Sequence, residues 1–318
     1  MADPKDGYDA TLKRAVAALA LALAIAPGSA TTARAAASSA DTTSLILLGT
    51  GMPFPDPQAQ GPAFIVKVGA RTFLFDAGSG VMRQMVAAGL PVRGDVLTAV
   101  FLTHLHSDHT LGLPDVMLTT WVMGRQHPLP IYGPPGTAAM TRSIFEAWKE
   151  DIRVRTEGLE HKPRGAEQVV VHEIHAGVVY DSAGVKITAI AVQHGIWKEA
   201  FGYRIDAPGK SIVLSGDTAP CDAIVAAARG VDLLLHEVYP AALLKPEPRP
   251  GGESWPRYMK TFHTSDRELG AIAARARPKK LVLVHIVRMG ATDQELLAGV
   301  RAGGFAGVAT IGHDLDRY

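Results

Sequence analysis

Leu97-Thr98-Ala99-Val100-Phe101-Leu102-Thr103-His104-Leu105-His106-Ser107-Asp108-His109-Thr110 is the stretch from which the rest of the chain is read. Its apolar first part predicts a buried strand. Three histidines and one aspartate then leave the strand end within six positions. Imidazole nitrogens and a carboxylate oxygen suit zinc or a similar first-row ion, and the motif offers no thiolate. Partners follow downstream at other predicted strand ends. His194 closes the alternating run 185–192, Asp217 follows Leu214-Ser215-Gly216, and His285 ends Leu281-Val282-Leu283-Val284. Loops at one rim of a sheet converge in space. His104, His106, Asp108, His109, His194, Asp217 and His285 can therefore meet, although they are far apart in the chain.

The surrounding pattern is strand-rich and has two similar halves. Residues 64–68 and 72–75 flank a Gly-containing turn and predict a hairpin. Asp76-Ala77-Gly78-Ser79-Gly80 then opens a helix through Leu90, and the motif strand and a helix over 114–123 follow. In the second half 201–205 and 211–214 flank another turn. After Asp217 come a helix to Ala228, a buried strand over 231–235, a helix over 264–275 and a strand over 280–285. A helix over 140–149 follows the turn at 132–136. The repeated order of hairpin, acidic loop, helix and buried strand predicts an α/β (α+β) fold, an αββα sandwich of two mixed β-sheets flanked by helices.

The chain has 318 residues, 47% of them hydrophobic, and a formal charge of +1. That balance speaks against a broad electrostatic grip on nucleic acid. Lys13 and Arg14 precede the apolar run 15–26, and Ala33-Arg34-Ala35 offers a cleavage site, so 1–35 read as a signal peptide. The run is too short to span a bilayer as a mature helix. Residues 36–42 read as a linker and 43–318 as one folded domain that carries the metal-ligand motif. Loss of 1–35 removes four basic and three acidic residues and leaves a net charge of zero. The expected location is periplasmic or secreted, with no membrane association after cleavage. Cys221 is the single cysteine and forms no internal disulfide; it reads as a structural residue near a helix start.

The pattern of seven candidate ligands at strand ends resembles the metallo-β-lactamase superfamily of binuclear metallohydrolases. More narrowly it is similar to the tRNase Z branch. Narrower still, the stretches 102–110, Trp121-Val122-Met123-Gly124-Arg125, Ala200-Phe201-Gly202-Tyr203-Arg204, Ser215-Gly216-Asp217-Thr218 and His236-Glu237-Val238-Tyr239 resemble secreted arylsulfatase-like members. The resemblance implies that His104, His106 and His194 hold a first metal, that Asp108, His109 and His285 hold a second, and that Asp217 bridges them. The implied cofactors are two Zn2+ per chain, with Mn or Fe also compatible with these ligands. Two cations sharing a water would lower its pKa and make a bridging hydroxide the nucleophile.

Asp108, His263 and Glu237 are the candidate catalytic residues. In the resembled branch the histidine matching His263 assists the leaving group, and Glu237 would orient it. Asp76 would brace the metal loop. Trp121, Met123, Trp197, Tyr203 and Trp255 are candidates for an apolar substrate wall, and Arg125 and Arg288 for contacts to an anionic substrate. His161, His172 and His175 lie outside any ligand pattern and read as structural. The leading expectation is a dinuclear zinc hydrolase acting on small ester-like molecules, aryl sulfate or phosphate esters, with nucleic acid not expected as a partner. A tRNA 3′-processing endonuclease and a β-lactam or lactone hydrolase are the alternatives on the same site. The resemblance also admits a homodimer.

Overall fold

Phe73 and Phe75 point to one side of their strand and Leu74 to the other, and this period-two alternation organises the molecule. The structure, a computed structural model, describes residues 42–252 and 254–318. The segment read as a signal peptide, and the linker up to residue 41, lie outside the described residues.

Strands β1 (Thr43–Gly49), β2 (Ala63–Val68), β3 (Arg71–Phe75), β4 (Ala99–Phe101), β5 (Leu129–Gly133) and β6 (Val169–Glu173) form a six-stranded sheet in that order. Pairing is antiparallel from β1 to β3 and parallel from β3 to β6. Strands β7 (Gly177–Ser182), β8 (Val185–Ala191), β9 (Phe201–Ala207), β10 (Lys210–Leu214), β11 (Leu233–Val238), β12 (Lys280–Ile286) and β13 (Val308–Ile311) form the second sheet, seven-stranded and likewise mixed.

Between the sheets lies one apolar layer. Phe73, Phe75 and Phe101 of the first sheet share it with Tyr203, Leu214, Leu235, Val282 and Val284 of the second. The alternate residues face outward and are covered by helices. Leu74, Val100 and Ile131 pack under α1 (Val81–Ala87) and α3 (Leu113–Val122), and α2 (Ser107–Thr110) precedes α3. Val213, Leu234, Leu281 and Leu283 pack under α6 (Asp222–Ala227), α8 (Asp266–Ala276) and α9 (Asp293–Ala302). The fold is thus two mixed sheets flanked by helices, as the pattern of the sequence predicted. The helices α4 (Thr137–Ala147) and α5 (Lys149–Glu157) lie between β5 and β6.

Helix α7 (Trp255–Phe262) has no counterpart in the sequence reading. Pro256 lies in its first turn, where a proline is tolerated because it removes an N–H that no intrahelical bond uses. Cys221 is the N-cap residue of α6 and is half-buried.

A single carboxylate organises the loop after β1. Asp314 accepts hydrogen bonds from Thr50 N and Oγ1 (2.9 Å each), from Gln60 N (2.8 Å) and from Gln84 Nε2 (2.8 Å). Both ends of the segment 50–60 are fixed this way, while Phe54 at its tip is exposed.

Candidate metal centre

The motif loop is set by Asp76, which ends β3 in the left-handed region at a φ of 56°. Its carboxylate accepts from Thr103 N (2.8 Å), from Thr103 Oγ1 and from His109 Nδ1 (2.8 Å). Thr103 Oγ1 in turn lies 2.9 Å from His104 Nδ1. His194 donates Nδ1–H to the carbonyl of Phe262 at 2.8 Å. Each of these bonds holds a proton on Nδ1. The Nε2 lone pairs of His104, His109 and His194 therefore all face inward. Asp217 arrives on a turn at Gly216, whose φ of 59° and close approach to Phe201 O leave no space for a Cβ. His285 also has positive φ, 44°. Non-glycine residues in this region store strain, and here one of them braces the motif loop and the other carries a candidate ligand.

All seven candidate ligands come together. They form two groups, in each of which the ligand atoms lie within 4.8 Å of one another: His104, His106, His194 and Asp217 in one, and Asp108, His109 and His285 in the other. His106 Nδ1 is 2.9 Å from His104 Nε2 and 3.1 Å from His194 Nε2. Ligands held about 2.0–2.1 Å from a tetrahedral zinc are separated by roughly 3.3 Å, close to this spacing. Asp217 lies between the groups. Its Oδ2 is 4.0 Å from His104 Nε2, 3.9 Å from His194 Nε2 and 3.6 Å from His285 Nε2, and its Oδ1 is 3.4 Å from His109 Nε2. Asp108 Oδ2 is 3.2 Å from His285 Nε2.

The donor set fits cations. His109 Nε2 and Asp217 Oδ1 are buried with no hydrogen-bond partner. Burial alone would raise the Asp217 pKa, but His285, His109 and His104 hold it well below the usual carboxylate range. Burial opposes a charge on His285 too, yet Asp217 and Asp108 push its pKa up to about 9. The carboxylates thus draw positive charge into the centre. A divalent ion competes for the same place, so binding would release protons. His194, with burial dominant, falls to about 4 and is neutral at pH 7.

His263 lies beside this centre, buried, with Nδ1 3.3 Å from Glu237 Oε2 and 4.0 Å from Asp217 Oδ2. Burial works against its charge, and Glu237 more than compensates, so its pKa is raised. Glu237 is itself held, because its Oε1 accepts from Thr218 N and Thr264 N at 3.1 Å each. A cavity of about 970 Å³ opens over His106, Asp108, Asp217, His263 and His285.

Several expected substrate contacts are corrected. Arg125 is 2% exposed, and its guanidinium donates to the carbonyls of Met117, His127, Glu167 and Gln168. It is a structural clamp that cannot reach substrate. Trp121 is a fully buried residue of α3 packed against Leu118 and Ala166, and Tyr203 is a core residue whose hydroxyl donates to Leu102 O. Arg288 is paired with Asp293. Of the expected apolar wall, Trp255 lines the cavity, and Trp197 places its indole N–H 2.9 Å from His106 Nε2.

A model of the beta-lactamase superfamily domain matches residues 71–286. Ribonuclease Z of Mycobacterium bovis is 38% identical over 263 residues, which cover 81% of this chain and 91% of that protein. The metallo-beta-lactamase fold protein YhfI from Bacillus subtilis superposes with a TM-score of 0.68 at 19% identity, covering 87% of this chain and 100% of that one. The short form of human tRNase Z gives a TM-score of 0.64 at 22% identity, covering 86% of this chain and 98% of that one. The chain is a metal-dependent hydrolase of the metallo-β-lactamase fold. Within the beta-lactamase superfamily it belongs to the family of these ribonuclease Z proteins.

These relatives overturn two expectations. The reading as an aryl sulfate or small phosphate ester hydrolase does not stand, and neither does the expectation that nucleic acid is no partner. The second error has a physical cause. Net charge sums the whole surface, whereas a phosphate is met locally by cations and a few side chains. Lys245 and Arg249 line the cavity mouth of an otherwise balanced molecule.

Proposed function

We propose that this protein is a metal-dependent endoribonuclease that cleaves a phosphodiester at the 3′ side of precursor tRNA. One observation carries this reading: the 38% identity to ribonuclease Z extends over 91% of that protein's length. The convergent candidate ligands and the His263–Glu237 pair are compatible with it.

In this reading His104, His106 and His194 would hold one cation and Asp108, His109 and His285 a second, with Asp217 between the two groups. When bound, two cations supply Lewis-acid charge to the scissile phosphate and its attacking water. Asp76 and Phe262 O keep the ligand rings turned inward. Glu237 stabilises the protonated form of His263 through Nδ1, which leaves the other ring nitrogen for the cavity. His263 gives its proton to the ribose oxygen as the P–O bond to it breaks, so that an alcohol rather than an alkoxide departs. Desolvation within the cavity strengthens each of these charge interactions.

The test is cleavage of a precursor tRNA carrying a 3′ trailer by purified, metal-loaded protein, with both product ends mapped. A single cut at the trailer junction that a chelator abolishes is expected. Metal-loaded, folded protein that leaves the precursor intact would overturn the proposal.

A further inference from the structure

Helix α7 carries Trp255, Tyr258 and Phe262 on one face, at spacings of three and four. Their rings stack. Trp255 and Tyr258 have centroids 5.5 Å apart at 10°, and Tyr258 and Phe262 4.4 Å apart at 15°. Phe262 meets the candidate ligand His194 edge-on at 5.0 Å. It fills the space beside Gly195, where a Cβ would collide with its ring. At the outer end the guanidinium of Arg249 lies 3.8 Å over the indole of Trp255, and it pairs with Glu247 at 3.1 Å. A continuous column of planar groups therefore runs from the metal centre outward.

Aromatic residues at helical spacing usually fill a core. These three are each only partly buried, and Trp255 and Tyr258 line the cavity over the candidate ligands together with Arg249, Lys245 and Phe54. Phe54 is 68% exposed.

We infer that the outer end of this column, Arg249 on Trp255, is a stacking subsite for an unpaired nucleobase a few nucleotides away from the scissile phosphate. The inference rests on the ribonuclease reading above. Bases stack on aromatic rings and on guanidinium planes with little regard to sequence. Lys245 places a point charge beside the same cavity, where a neighbouring phosphate would lie. A base inside a duplex has both faces covered by its neighbours and cannot join the column. The subsite thus selects a single-stranded segment leading to the cut and tolerates any base there.

The test deletes the base rather than the protein. A set of precursor tRNAs is made, each with one abasic nucleotide at one of the positions flanking the cut, and kcat and KM are measured for wild type and Trp255→Ala. For wild type, one or two abasic positions should raise KM roughly ten- to a hundredfold with kcat nearly unchanged. In Trp255→Ala the intact substrate should already show the raised KM, and the abasic penalty should vanish, as for two partners of one contact. Thermal denaturation and metal content identify a variant that has merely misfolded; in that event the wild-type series decides. Wild type that cleaves the precursor but is indifferent to every abasic position would overturn the subsite and spare the ribonuclease reading. So would an abasic penalty that persists in a folded Trp255→Ala. Wild type that cleaves no precursor refutes the ribonuclease reading itself, and the subsite with it.

Discussion

Asp76 Oδ2 accepts a hydrogen bond from His109 Nδ1 at 2.8 Å, and the same carboxylate holds the backbone N–H of Thr103 one residue ahead of His104. One side chain thus sets a ring tautomer in one candidate metal group and the position of a ligand in the other. Asp76→Asn keeps a residue that tolerates the left-handed backbone, but it replaces an anionic acceptor with a neutral amide. Metal affinity should fall about 10- to 100-fold. Competition titration against a chelating dye checks this; affinity equal to wild type would show that the brace is dispensable.

His263→Ala should lower kcat on precursor RNA by roughly 10²–10⁴ and leave metal content unchanged, because the residue faces the cavity beside the ligands without joining them. Glu237→Gln removes the charge that favours protonated His263 and should lower kcat less. The measurement is single-turnover kinetics paired with metal analysis. Loss of metal in His263→Ala would instead place this residue among the ligands.

Trp197 offers an optical reporter of loading. Its indole N–H points at His106 Nε2, which leaves the ring proton on Nδ1, the nitrogen facing His104 and His194. A cation taking Nδ1 moves that proton to Nε2, where it opposes the indole N–H. Adding zinc to metal-free protein should therefore change tryptophan emission, and Trp197→Phe should abolish the change. An unaltered response in the variant would refute the tautomer exchange.

Away from the centre, Asp232 accepts from Lys279 Nζ (2.7 Å) and from Ser211 N and Oγ, and these bonds lower its pKa to about 2. The unfolded value is about 3.9. A folded pKa below the unfolded one gives stability that is present above pH 4 and lost as pH falls towards 2. Asp232→Asn should cost about 1 kcal/mol at pH 7, and the gap to wild type should close as the pH drops from 4 to 2. Urea unfolding at both ends of that range checks the sign.

Much of this was legible because the decisive residues act locally. The histidine motif follows its strand within a few positions, and His194, Asp217 and His285 each sit at or just beyond a run whose alternation or apolarity can be counted. Arg125 was misread because an arginine capping four carbonyls has the same letter as one that meets substrate; only burial separates them. Tyr203 and Trp121 fail for the same reason. The stacking face of α7 had no counterpart in the sequence reading; Pro246, Pro248, Pro250 and Pro256 interrupt the local periodicity, although the last of them fits a first helical turn. The small-ester substrate came from the narrowest resemblance, and nucleic acid was set aside partly on total charge, a quantity blind to where the charges lie.

The segment 50–60 is pinned at its base by Asp314, and its crest of Met52, Pro53, Phe54 and Pro55 forms part of the cavity wall. Such a loop is a detachable module. Its stem is welded to the scaffold, its crest contributes no ligand, and lengthening it costs entropy that grows only logarithmically. New residues grafted between 52 and 58 would redraw what the mouth admits while the metal-binding side chains beneath stay where they are. Divergence of appetite within one catalytic framework has a ready location here.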